Sequence, residues 1–355
     1  MPRPTGLVVH AVDGDPAAGG GPGWAAALAG SFARHDQTTL VVPPGAGGVD
    51  LDPWIPAGAP HPAVVVERPA RTRLDDLRRA WGDRHDRATV VQSTHAPRLT
   101  ASPRSAVLVD FPLGGLQGAA DRWRLGRYRT VVANSPFTAR WVRARWDRDA
   151  EVLSPLVLPV QALPKEPIVV SVGRFTGGAR TKGQLEMVEA FRRLGPEVHR
   201  RWSLHLAGYV ADPGHLAAVQ AAAQGLPVVL HPDAPRNEVE ELCGRASICW
   251  HACGIGADVQ HEPERFEHFG IAVVEAMSAG AAPLVLSAGG PAETVDGVAP
   301  TWTDIDDLVA RTHELVAAPT TLAGIGERAR VRARDFGPAA FDTRVDELLS
   351  RLVAG

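Results

Sequence analysis

Short apolar runs, each closed by glycine, proline or a polar turn, alternate along the chain with stretches where apolar residues recur every three to four positions. The runs Gly6–Val12, Thr38–Val42, Ala63–Val66, Ala88–Gln92, Ala106–Asp110, Arg129–Ala133 and Ala150–Leu153 predict strands in the first half. Ile168–Val172, Ser203–Ala207, Val228–His231, Ala246–His251 and Ala282–Leu286 predict strands in the second. Strands separated by helical stretches argue for an α/β fold with parallel sheets. Predicted helices run from Trp24 to about Arg34, over the charged stretch Arg71–Trp81, and after Gly183 with Leu185, Val188, Phe191 and Leu194 on the buried side. Ser135 followed by Pro136 fits an N-cap and a proline at the first helical position. At the end of the chain, Phe341, Val345, Leu348, Leu349 and Leu352 share one face of an amphipathic helix.

Length then sets the number of domains. A chain of 355 residues fits two of ordinary size. The proline-rich stretch Pro155–Pro167, with few turn formers, reads as the connection between them. Hydrophobic content of 45% and charged content of 22% describe a soluble globular protein. A net charge of −3 gives no sign of a nucleic-acid partner. No apolar run reaches the roughly 18 residues needed to span a membrane, and the N-terminus lacks a secretory apolar core. Three cysteines fit a reducing compartment, so the expected location is cytoplasmic. The basic residues total 37, and only Lys165 and Lys182 are lysines. In so arginine-rich a chain, a lysine is there for its compact ammonium. The arginine and alanine usage also hints at a high-GC bacterium.

Candidate chemistry concentrates in Phe266–Gly280, FEHFGIAVVEAMSAG. It reads as a loop with Glu267 and His268, then a helix from about Ile271 to Ala279, with Glu275 near its start and Gly280 as a left-handed C-cap. Two carboxylates eight positions apart would lie roughly 12 Å apart on a helix. A glycosidase pair sits roughly 5–9.5 Å apart, so this wider spacing suits two ends of one bound molecule. Two solvated glutamates would show the same spacing.

With Phe269-Gly270 between the two glutamates and Ala276-Met277-Ser278-Ala279-Gly280 after them, the stretch resembles the signature of retaining glycosyltransferases of the GT-B fold, glycosyltransferase family 4. The resemblance implies a GT-B architecture, two Rossmann-like domains with parallel sheets facing across a cleft. It implies an acceptor-binding domain over 1–158, a donor-binding domain over 159–338, and a last helix over 339–355 that returns to the first domain. Glu267 would contact the transferred sugar and Glu275 the ribose. Backbone N–H groups of Phe269, Gly270 and Ile271, beside His268, would bind hydroxyls or phosphate. The co-substrate would be a UDP- or GDP-linked sugar, with no other cofactor and no metal. The acceptor would be a small molecule, a glycan or a lipid-linked hydroxyl, with at most peripheral membrane contact.

The loop Gly173–Gly183 places Arg174 and Lys182 after a strand, at the edge where open α/β sheets bind ligands. A guanidinium fork and a compact ammonium suit a diphosphate, and the same family has an Arg and a Lys at such positions. Gly289-Gly290-Pro291 and Glu293 resemble the family's next loop. The glycines before Trp24, including Gly21 and Gly23, can approach a phosphate. They also fit a dinucleotide fingerprint, although the strand Thr38–Val42 ends in Pro43-Pro44 with no acid for a ribose.

The first half departs from the family pattern. Asp110 stands before Phe111-Pro112 where many relatives have a histidine; it is a candidate catalytic group or a structural one, with His95 as the other candidate. This departure keeps open a pseudo-glycosyltransferase or a non-catalytic sugar-nucleotide binder. A dinucleotide-dependent oxidoreductase is the more distant rival. Cys249-x-His251-x-Cys253 alternates along a strand but lacks a second ligand pair for zinc. The Arg-rich segments 122–129 and 140–148 read as ordinary helix faces, as the polar residues 258–264 read as a surface loop.

Overall fold

The computed structural model describes residues 7–11, 20–42, 55, 58–66, 77–78, 80–81, 89–93, 98–116 and 118–354. The segment 12–19, Pro43-Pro44, most of the stretch Arg71–Trp81 and His95 lie outside them, as does the side chain of Arg180. The chain divides into two units, Met1–Leu158 with Pro338–Gly355, and Pro159–Gly337.

In the first unit the strands are β1 (Leu7–Ala11), β2 (Thr38–Val42), β3 (Ala63–Val66), β4 (Thr89–Ser93), β5 (Ser105–Val109), β6 (Thr130–Ala133) and β7 (Glu151–Val152). They pair in the order β3-β2-β1-β4-β5-β6-β7, every pair parallel. Every residue of β4 and β5 is buried, as expected for parallel strands covered on both faces. The helices here are α1 (Gly20–Phe32), α2 (Gly118–Leu125) and α3 (Pro136–Trp146). Ser135 caps α3 as the sequence predicts, its Oγ accepting from Thr138 N at 3.1 Å. α1 starts before the predicted Trp24, so Gly21 and Gly23 stand in its first turn and not in a preceding loop. A glycine- and proline-rich segment reads locally as a turn, but Pro22 is tolerated in a helix's first turn, where its missing N–H costs nothing.

The second unit has β8 (Glu166–Val172), then α4 (Gln184–Arg193), α5 (Gly195–His199), β9 (Ser203–Gly208), α6 (Pro213–Ala222), β10 (Val228–Pro232), α7 (Arg236–Arg245) and β11 (Ala246–His251). These are followed by α8 (Ile271–Ser278), β12 (Ala282–Val285), α9 (Gly290–Thr294), α10 (Ile305–Ala317) and α11 (Pro319–Ala333). Its sheet is also parallel, in the order β10-β9-β8-β11-β12. Strand order reverses direction between β8 and β11, and open α/β sheets bind ligands beyond the carboxyl ends of the strands at such a point.

The last helix, α12 (Pro338–Val353), belongs to the first unit. Phe341, Val345, Leu348 and Leu352 are buried in the same core as Trp24, Leu28 and Phe32 of α1. Around it, Asp342 takes an ion pair from Arg34, and Glu151 takes one from Arg351 at 2.6 Å. Among the described residues no helix is long and apolar enough to cross a membrane.

Candidate active site

The switch point of the second sheet is where the sequence candidates meet. After β8 the chain passes through Gly173 and Arg174, then a short 3-10 turn, and reaches Lys182 just before α4. After β11 it leaves His251, turns at Cys253, and reaches Glu267 ahead of α8. Lys182 Nζ donates to Glu267 Oε2 at 2.8 Å. His251 Nε2 lies 3.7 Å from the same oxygen. Cys253 Sγ is 3.8 Å from Lys182 Nζ, and Gly173 lies under the Lys182 stem.

Both charges of this pair are held on. Burial alone would push the Glu267 carboxyl up; the Lys182 ammonium and then His251 outweigh it and hold the group well below the usual carboxylate range. Burial alone would pull Lys182 down, but Glu267 outweighs it, so the ammonium stays above its ordinary value. Arg174, exposed beside them, places a second positive charge within reach of Lys182. The Cys253 thiol is pushed up to about 11 by burial, so it stays protonated. The result is a carboxylate paired with one ammonium, with a guanidinium near that ammonium, at the edge of the sheet where a ligand is expected.

Three features fix that geometry. Gln184, buried in the first turn of α4, donates through Nε2 to the carbonyls of Arg174 (2.9 Å) and Gly173 (3.3 Å). Its Oε1 lies 3.1 Å from His215 Nε2 and accepts from it. Gly290 N donates to Glu267 O at 2.8 Å, and its Cα lies so close to the His268 carbonyl that a side chain at 290 would collide with it. Phe269 turns into the core against Phe336, ring centroids 5.4 Å apart, so the site is offered its backbone and not its ring. His268 is half-buried in the loop and Ile271 opens α8 with Gly270 as its cap.

Glu275 differs from expectation. It is the fifth of the eight residues of α8, not near the start, and only 7% exposed. Residues 267–270 are not helical, so a separation measured along a continuous helix does not apply to the two glutamates. Its carboxylate is taken by Arg236 of α7, Nη1 to Oε1 at 2.6 Å. Gly280 does end the helix as predicted, with φ +86° and the paired bonds Gly280 N to Met277 O and Ala281 N to Ala276 O.

Cys249, His251 and Cys253 do not share one face, because β11 ends at His251. Cys249 is in the core with Ile168 and Leu242, and Cys253 lies beyond the strand. Among the described residues no cluster of histidine, cysteine and carboxylate could hold a metal ion. Gln184 and Arg236 join the site without having been singled out by the sequence, and His251, noted there only in the Cys249-x-His251-x-Cys253 pattern, joins it beside Glu267. Gln184 had a signal, its place on the core-facing side of the predicted helix four residues before Val188; Arg236 had none.

The remaining candidates belong to the first unit. Asp110 follows β5, and its backbone carbonyl accepts from Asn134 Nδ2 (2.9 Å) and Thr138 Oγ1 (3.2 Å). Arg145 pins the next turn by donating to Pro112 O at 2.7 Å with its guanidinium over Phe111 and Trp141. Gly21 and Gly23, at the start of α1, follow β1 at the same carboxyl edge of that sheet.

Residues 159–332 match the model of the family described as glycosyl transferases group 1. The second unit carries a glycosyl transferases group 1 domain. The matched residues include Arg174, Lys182, Glu267 and Glu275. The solved structures similar to the chain include sucrose-phosphate synthase from Thermosynechococcus elongatus, with 18% identity, 99% of each chain covered and a TM-score of 0.69. HepE of Anabaena, solved in complex with UDP and glucose, is 15% identical over 97% of this chain and 99% of its own, with a TM-score of 0.68. AviGT4, a glycosyltransferase involved in avilamycin A biosynthesis, is 19% identical over 99% of each chain, with a TM-score of 0.63. These likenesses establish the fold as the GT-B class of α/β proteins. No curated protein sequence matches the chain.

Proposed function

We propose that the protein is a retaining glycosyltransferase of family 4 that moves a sugar from a UDP- or GDP-linked donor to a hydroxyl acceptor. The observation that carries this reading is the Lys182–Glu267 ion pair at the switch point of the second sheet, with Arg174 beside it. A departing nucleoside diphosphate gains negative charge as the glycosidic bond breaks. Fixed cations in a partly dry site stabilise that charge without reorganising. Arg174 and Lys182 supply it, and Glu267 holds the hydroxyls of the sugar. The sugar passes through an oxocarbenium-like state, and the departing β-phosphate takes the proton of the acceptor hydroxyl. Glu275 receives the ribose diol. The backbone of Phe269, Gly270 and Ile271 meets phosphate or sugar hydroxyls, with His268 beside it. Asp110 serves the acceptor side, and the Gly21–Gly23 turn approaches the donor phosphate. HepE, solved with UDP and glucose, supports the choice of a nucleotide sugar.

The test is a panel of sugar nucleotides offered with mixed hydroxyl acceptors and scored for released UDP or GDP. Arg174→Ala, Lys182→Ala and Glu267→Ala should each lower kcat by about 100-fold or more while the fold is kept. Near-normal turnover in all three would refute the assignment.

A further inference from the structure

Arg236 opens α7, directly after Pro235, whose side chain makes no cap. A helix N-terminus disfavours a cation, so this position calls for a local reason. The guanidinium is forked between two carboxylates of unlike exposure. Nη1 meets Glu275 Oε1 at 2.6 Å, and Nε meets Glu240 Oε1 at 2.7 Å. The Glu275 side chain is 9% exposed, whereas those of Glu240 and Arg236 are 45% and 48% exposed. One partner is thus in water and needs no help, while the other is enclosed in the protein.

We propose that Arg236 is the positioning residue that keeps the Glu275 carboxylate charged and aimed, and so sets nucleoside-diphosphate affinity without itself contacting the nucleotide. This rests on the reading of Glu275 as the ribose acceptor given above. A ribose diol donates two O–H groups, and a carboxylate accepts both whereas a carboxylic acid spends one oxygen as a donor. Enclosure disfavours the charged form, and Glu275 is already pushed up by burial even with Arg236 in place. Glu240 adds like charge from the next turn of α7. Cys243 of the same helix also faces Glu275, but its thiol is pushed up to about 12 and stays neutral. From β11, β12 and α11, the other elements packed on α8, no further charge acts on Glu275 among the described residues. Arg236 is therefore the counter-charge on which the ionised form depends.

The experiment is calorimetric binding of UDP and of GDP by the full chain between pH 5 and 9, for wild type, Arg236→Gln, Arg236→Lys, Glu275→Gln and the double variant Arg236→Gln/Glu275→Gln. Circular dichroism confirms folding. In Arg236→Gln the acid limb of the affinity profile should move up by about one pH unit or more, with Kd weakening about tenfold per unit below it. At high pH its affinity should approach wild type. Arg236→Lys should restore most of the profile. Glu275→Gln should bind weakly and keep only the acid limb that the ligand's own terminal phosphate gives every variant, and the double variant should be no weaker than that single one. A folded Arg236→Gln with an unmoved profile overturns the proposal, as does a loss in the double variant equal to the sum of the two single losses. If wild type binds neither UDP nor GDP, the reading of the site itself falls, and the inference falls with it.

Discussion

The two lysines of the chain sit in opposite electrostatic settings. Lys182 is held protonated by Glu267, above its ordinary value. Lys165 turns its ammonium onto the Gly244 carbonyl at 2.8 Å, and burial pulls it down to about 8. With lysine carrying a 13C label at Cε, the native protein should show one resonance titrating near pH 8, lost in Lys165→Met, and one that does not move over the same range. Two resonances titrating together near the ordinary value of 10.5 would contradict both settings. The Glu267 pair makes a prediction of stability. Its carboxyl lies below its unfolded value, so its contribution is present above about pH 4.5 and disappears as pH falls through the folded value. Lys182→Met should therefore cost about 1–3 kcal/mol at pH 7, less than a fully enclosed pair because both side chains keep some exposure. The cost should shrink by about pH 3, as read from urea midpoints. An equal cost at both pH values would mean that lost packing, not charge, explains it. At this scale much of the site is legible in the chain. Lys182 stands out as a lysine among arginines, and Glu267 by its spacing and neighbours. Their pairing is not legible, since 85 positions separate them. Arg236 is equally hidden, because a cation at a helix start makes sense only beside the buried acid that it meets.

Among elements, the loop Gly173–Gly183 and the turn ahead of α8 are held by contacts that no local pattern announces. Gln184 stands four residues before Val188 and seven before Phe191, on the face that periodicity assigns to the core, and there its amide clamps the carbonyls of Gly173 and Arg174. Gln184→Ala should cost about 1–3 kcal/mol in stability, the usual penalty for orphaned buried partners. It should lower kcat with a given sugar nucleotide more than its melting shift alone suggests, because Arg174 loses its anchor. The substitution Gln184→Glu keeps the size of the side chain but turns an acceptor towards the two carbonyls. It should therefore be at least as damaging as alanine at neutral pH, and a well-tolerated Gln184→Glu would show that the side chain only fills space. At Gly290 the contact is backbone on backbone. Gly290→Ala must push the turn carrying His268 aside, at about 1–3 kcal/mol, and should raise donor KM together with the loss in melting temperature. Unchanged KM in a destabilised variant would detach this glycine from the site. The strands themselves are legible because fully enclosed parallel strands are short unbroken apolar runs, as in β4 and β5. The start of α1 is not legible, since glycine and proline signal a turn and a helix's first turn in the same letters.

For the molecule as a whole, the two sheets are separate bodies of core, and α12 is bound to the first by Phe341, Val345, Leu348 and Leu352. Phe341→Ala should destabilise by about 3–5 kcal/mol. Hydrogen exchange should localise that loss to amides of β1, β2 and α1, leaving β8 and β11 protected as in wild type. Uniform loss across both sheets would mean that the units unfold as one. The amphipathic face of this helix is plain in the sequence. Its burial beside residues such as Ser31, 311 positions before its partner Asp342, follows from topology alone.

That long-range closure has a consequence during synthesis. A ribosome releases the whole of Pro159–Gly337 before it releases the helix that completes the earlier half. The body made second can close first, while the one begun first waits with the α1 flank of its core uncovered until the final turns of α12 emerge.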